Sequence, residues 1–170
     1  DEQRTGGASL KFTGPLGQGF ATGVGMALAT QLQFYFLGTA QYLGHLGVKA
    51  RNVPAAMSIA QAAQVGAMLF MAFYEKRVLA SIGFRWTLAI GILSWLAMYG
   101  AFAAGRPKIM VVISQALHGI AYALFINVGF VYVNTVAPKA MAGSANGLYT
   151  FALFGIGSFV GTQFTGAVMD

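Results

Sequence analysis

Long uncharged runs, separated by short clusters of charge, organise this chain. No Lys, Arg, Asp or Glu occurs between Lys11 and Lys49, Arg51 and Glu75, Arg85 and Arg106, Lys108 and Lys139, or Lys139 and Asp170. A spanning helix needs about 20 apolar residues, because the hydrocarbon core is about 30 Å thick and a helix rises about 1.5 Å per residue. All five runs reach that length. A Lys, Arg or Asp at the bilayer centre costs about 2.5–3.5 kcal/mol, so lipid selects runs of this kind. The pattern predicts an all-α integral membrane protein with helices over about 20–43, 54–74, 86–104, 109–136 and 145–168.

The punctuation between the runs agrees. Gly44-His45-Leu46-Gly47 turns the chain, and Asn52-Val53-Pro54 opens the second helix, with Asn52 as its expected N-cap and Pro54 in the first turn. Residues 75–85, with Glu75, Lys76, Arg77, Gly83 and Arg85, read as a basic connector. Gly105-Arg106-Pro107-Lys108 ends the third helix, Pro138 stops the fourth, and Ser144 or Asn146 is the expected cap of the fifth. The polar, Gly-rich segment 1–19 reads as a linker. It begins without Met and lacks the basic region and cleavage site of a signal peptide, the pattern of a partial chain. Five crossings put the N-terminal segment, the 75–85 connector and Lys139 on one side, where Lys and Arg are more numerous, and the positive-inside rule makes that side cytoplasmic.

Composition narrows the class. Charged residues make up 8% and hydrophobic ones 57%, whereas soluble domains carry about 25% charge. A soluble helical protein would need a charged outer face on each helix, and these five helices have none. The net charge of +6 lies in short loops, which suits anionic lipid headgroups; no basic stripe with interleaved aromatics points to nucleic acid. Cysteine is absent, so thiolate metal sites and Cys nucleophiles are excluded.

The candidate chemistry lies in polar groups inside the runs, since such groups in lipid face a bundle interior or a wet cavity. The fourth helix carries Ser114, Gln115, His118 and Tyr122 within an arc of about 100°, with Asn127 about opposite His118. The second carries Ser58, Gln61 and Gln64, and the first Thr30 and Gln33 on one face. Amides and phenols with aromatic neighbours suit a neutral polar ligand with donors, acceptors and a flat ring. The same groups could instead bond helix to helix as packing contacts. Gly157-x-x-x-Gly161 has the spacing that lets helices approach closely. His118 is the one side chain deep in a run that titrates near neutral pH, and it serves either as a proton site or as a neutral hydrogen-bonding group. Enzyme motifs are absent: no HExxH, Gly-x-Ser-x-Gly or phosphate loop occurs, and Ser114–His118 lacks an acidic orienter. Neither a metal nor a cofactor is expected.

Ordered along the chain, four segments resemble the nucleoside:proton symporters of the major facilitator superfamily. Met57-Ser58-Ile59-Ala60-Gln61-Ala62-Ala63-Gln64 is similar to that family's Met-Ser-Ile-x-Gln-x-x-Glu segment. Ile92-Leu93-Ser94-Trp95-Leu96-Ala97-Met98-Tyr99 resembles its ninth helix, and His118-Gly119-Ile120-Ala121-Tyr122 followed by Phe125 its tenth. Ala142-Gly143-Ser144-Ala145-Asn146-Gly147 resembles the entry to its eleventh.

The resemblance implies helices seven to eleven of a twelve-helix carrier, most of one six-helix half, whose partner is the missing amino-terminal half. It implies a multi-pass protein of the cytoplasmic (inner) membrane that takes up a nucleoside or similar neutral solute by alternating access. By matching position, the substrate contacts are Gln33, Gln61, Gln64, His118 and Tyr122. The chain departs from the family pattern where Gln64 replaces a Glu, Met98 an Arg, Ala123 an Asp, Phe36 an Asn and His118 a Tyr. Those departures remove the intramembrane charges of this half, leave His118 as the local candidate for proton coupling, and keep open a second reading: a non-transporting binding or sensor protein on a transporter scaffold.

Overall fold

The computed structural model describes residues 15–169, with side chains from Thr30 onward. The expected linker up to residue 14 lies outside the described residues. Helix α1 spans Pro15–His45, so residues 15–19, expected in the linker, are helical. Helix α2 spans Val53–Ala104, α3 Lys108–Ala121, α4 Val128–Val136, α5 Ala142–Thr150 and α6 Ser158–Met169. Two π-helical segments, Tyr122–Asn127 and Phe151–Gly157, carry α3 into α4 and α5 into α6 without a break. No strand occurs among the described residues. Among the described residues, three helices are long and apolar enough to cross a membrane: Ala50–Ala104, Lys108–Val136 and Lys139–Met169. Helices satisfy their own backbone groups, which a lipid core demands.

Glycine and proline set the ends. Gly47 (φ 79°) and Gly105 (φ 66°) adopt the left-handed conformation that closes α1 and α2, and Gly105 N–H returns to Ala101 O at 3.1 Å. Ala137, held extended before Pro138, ends α4. Gly83 divides α2 into two arms, 53–82 and 84–104. Its φ of 73° and ψ of 167° fall in a region open essentially to glycine alone. Thr87 Oγ1 donates to the Gly83 carbonyl at 2.8 Å, satisfying a group near the break.

Three local expectations need correction. Residues 75–82 continue the first arm as helix instead of forming a connector. Their charges suit an interfacial end of a helix as well as a loop. Asn52 occupies the N-cap position of α2 but makes no side-chain cap bond. Asn146 lies inside α5, whose first residue is Ala142, and its Nδ2 donates at 2.5 Å to Asn134 Oδ1 near the end of α4.

The chain divides into two compact units, Thr39–Tyr149 and a second formed by residues up to Gly38 with those from Thr150. Within Thr39–Tyr149, α3 lies between the two arms of α2. A Cβ on Gly119 would drive into Ala60 O and Gln64 N of the first arm. On the second arm, a Cβ on Gly91 would stand 3.0 Å from Phe125 Cβ and 3.1 Å from its backbone nitrogen. Small residues at both crossings let backbones meet, the contact that holds helices together where lipid is as apolar as the side chains. Tyr42 stacks on Phe102, with centroids 5.3 Å apart, and its hydroxyl donates to the Phe102 carbonyl in the last turn of α2. Tyr149 lies edge-on to Phe130, 4.8 Å away, with its hydroxyl against Gly129. In the other unit, a Cβ on Gly161 of α6 would stand 2.7 Å from Thr30 Cα and 2.9 Å from Gln33 Cβ, so the expected small-residue spacing serves a close approach to α1.

Candidate solute-binding groove

The first arm of α2 presents a stripe built by helical spacing. Gln61, Val65, Met68, Ala72 and Glu75 succeed one another at i, i+4, i+7, i+11 and i+14, so they share one face. Val65, Met68, Leu69, Ala72 and Glu75, together with Asn127, line a groove of about 380 Å³. Gln61 is exposed at the head of this stripe. Gln64 is half-buried beside it, its Nε2 lying 3.9 Å from Met68 Sδ. The crossing at Gly119 brings α3 against Ala60, Ala63 and Gln64, which places Gln64 next to the residue after His118.

His118 points to the other arm. It is fully buried, and its Nδ1 accepts a hydrogen bond of 3.2 Å from Trp95 Nε1. An indole N–H only donates, so Nδ1 supplies the lone pair and a neutral ring carries its proton on Nε2. Phe125 completes this aromatic contact, with its centroid 5.8 Å from that of Trp95. Tyr122, half-buried, opens the π-helical segment one turn beyond His118.

The other polar residues of the α3 stripe are engaged locally. Ser114 Oγ donates to Val111 O at 2.8 Å and Gln115 Nε2 to Val112 O at 3.4 Å, both within their own helix. Ser58 Oγ likewise donates to Ala55 O at 2.8 Å. Ser114 therefore does not use His118 as a base. Gln33 belongs to the other unit, where its Cβ and Cγ pack near Gly161. Among the described residues, no group of three or more His, Cys, Asp or Glu could hold a metal ion.

The structure corrects the expected position of Asn127. An uninterrupted α-helix would put it opposite His118. A π-helical turn, closed by i→i+5 bonds, holds one extra residue and rotates the rest of the helix back by about 100°. Asn127 ends the segment that Tyr122 begins, so the two lie one turn apart on the same side, and Asn127 joins the groove on the first arm. Sequence reasoning also missed Trp95 as the partner of His118. Its one signal was an indole donor in the middle of an uncharged run.

The family described as nucleoside H+ symporter matches residues 22–170. The protein YegT of Escherichia coli (strain K12) is 29% identical over 147 residues, which cover 84% of this chain and 33% of YegT. The xanthosine permease of the same strain is 29% identical over 118 residues, covering 67% of this chain and 27% of the permease. Nucleoside permease NupG, also of that strain, is 27% identical over 118 residues with the same coverage. The chain thus spans about a third or less of the length of these relatives. No solved structure matches it. With an apolar helical architecture and a match over nearly its whole length, the chain belongs to the nucleoside H+ symporter family.

Proposed function

We propose that the chain is part of a carrier that moves nucleosides across the cytoplasmic (inner) membrane. On this reading it contributes five crossings, with the two arms of α2 as separate spans, and corresponds to helices seven to eleven of a twelve-helix major-facilitator carrier. The segment preceding α1 then lies in the cytoplasm, and lipid covers the outward apolar faces. The observation that carries the proposal is the stripe headed by Gln61 and flanked by Gln64, beside a helix that supplies Tyr122 and His118, in a chain of this family.

The chemistry comes from those groups. Gln61 and Gln64 each offer a carbonyl acceptor and an NH₂ donor, able to pair with the carbonyl and imino edge of a nucleobase. Tyr122 offers a ring to stack on a flat base and a hydroxyl to hydrogen-bond. Gln33 is assigned to the same recognition on the strength of its sequence match. His118 holds Trp95 and positions the α3 wall. Alternating access would come from rocking this bundle against the other half of the carrier around a midplane site.

The test is uptake of labelled uridine, adenosine and xanthosine by the complete gene product, in cells stripped of their own nucleoside uptake. Saturable uptake is expected. Correctly inserted protein that neither binds nor moves any of the three overturns the proposal, and binding without counterflow selects a binding protein over a carrier.

A further inference from the structure

We infer that Asn127 contacts the solute directly and reads the ribose hydroxyls; this deepens the nucleoside reading and rests on it. The π-helical segment Tyr122–Asn127 sets its own two ends one above the other. It thereby turns an amide that an α-helix would direct away from Tyr122 onto the same side. Across the gap, Asn127 faces Val65, Met68, Leu69 and Ala72, with Glu75 at the far end. That stripe is the direct continuation of the one headed by Gln61.

The order of groups along the groove matches the order of groups along a nucleoside. The first level is that of the Gly119 crossing, where Gln64 lies on the arm with Gln61 nearly a turn before it and Tyr122 directly follows α3; these offer paired donors and acceptors and a ring, the complement of a base. About 6 Å beyond Gln64 along the arm stands Met68, and one π-helical turn beyond Tyr122 stands Asn127. A nucleoside with its base at the first level puts its sugar at the second. There the wall is apolar except for one amide, and Glu75 beyond it is an acceptor when ionised. Sugar hydroxyls donate as well as accept, and an amide answers both. A π-helical insertion of this kind commonly marks a functional position, because it sacrifices regular helix bonding.

The experiment compares uridine with 2′,3′-dideoxyuridine in the complete protein. Asn127→Leu keeps the side chain's size and removes its hydrogen bonds. The expected result is a loss of uridine affinity of about five- to tenfold with little change for the dideoxy compound, as deletion of one or two neutral hydrogen bonds implies. A variant that merely disturbed packing would weaken both compounds alike, and that outcome, or unaltered discrimination, overturns the assignment. This chain contains no cysteine, so Asn127→Cys gives a second measurement should the Leu variant not reach the membrane. A small water-soluble thiol reagent should modify it and uridine should protect it, while Val128→Cys, fully buried, stays unmodified. If Gln61→Cys and Tyr122→Cys are protected by uridine but Asn127→Cys is not, the assignment of Asn127 fails and the nucleoside reading stands. If uridine protects none of them, both fail.

Discussion

Trp95 Nε1 donates to His118 Nδ1 at 3.2 Å, joining the second arm of α2 to α3 at a point where the imidazole is fully buried. Both nitrogens of a charged imidazolium are donors. Protonating Nδ1 would set it against the indole N–H, a group with nothing but a donor to offer. The pair supports the proposal that His118 acts as a neutral, positioning group. His118→Gln keeps an acceptor for Trp95, and the pH profile of nucleoside uptake in this variant should match that of the parent. A flattened profile would return His118 to proton coupling. Trp95→Phe should lower stability by about 0.6 kcal/mol, the average for a hydrogen bond between membrane helices, read from thermal unfolding in detergent.

The crossing at Gly119 sets up a second prediction. Ala60 O and Gln64 N occupy the space a Cβ would need, and both are backbone atoms that no rotamer change can move. Gly119→Val should force α3 away from the first arm, with a loss of about 1–3 kcal/mol for overpacking. It should also weaken solute affinity, because the same displacement separates α3 from the arm that carries Gln64. Gly66→Ala, on the same arm with nothing within 4 Å of the added carbon, is the control and should be neutral or slightly stabilising. Equal unfolding temperatures for the two variants would remove the close approach as a source of stability.

Gly83 tests backbone conformation apart from packing. Nothing lies within 4 Å of a Cβ built there, yet its φ is 73° and its ψ 167°. Gly83→Ala should therefore destabilise by about 1–3 kcal/mol through backbone strain alone. Gly100→Ala, also with open surroundings but inside the second arm, should not. Thermal unfolding of the complete protein separates the two.

Much of this architecture was legible in the order of charges. The uncharged runs foretold the helices, and Gly105 and Pro138 foretold where two of them end. The features that stayed hidden share a physical reason: each depends on a partner the local sequence does not name. Residues 75–82 carry charge and are helical, because a charged stretch is compatible with a helix end as well as with a loop. Asn146 looks like a cap, but Asn134 engages it. That Gln61 and Gln64 fall on neighbouring positions of one helix face was visible from their spacing. Asn127 was misplaced because nothing in Tyr-Ala-Leu-Phe-Ile-Asn announces an i→i+5 turn. The close contact of Phe125 with Gly91 arises only once the helices have packed.

The position of Gln64 supports the last prediction. It lies next to the groove, its Nε2 3.9 Å from Met68 Sδ, half-buried, at the point where α3 crosses the arm. An amide there can pair with a solute but cannot take up a proton as a carboxylate does. Gln64→Glu places a titratable group at that point with almost no change in shape. Ionised, the carboxylate accepts only; protonated, it regains a donor and can again meet an acceptor on the solute. Uptake by Gln64→Glu should thus differ from the parent in its pH profile, with an added rise toward acid between about pH 8 and pH 5 as the protonated form is restored. Gln64→Leu, which removes donor and acceptor together, should lower affinity about fivefold at every pH. Parallel pH profiles for parent and Gln64→Glu would show that this side chain does not face the solute, and would take Gln64 out of the groove's chemistry.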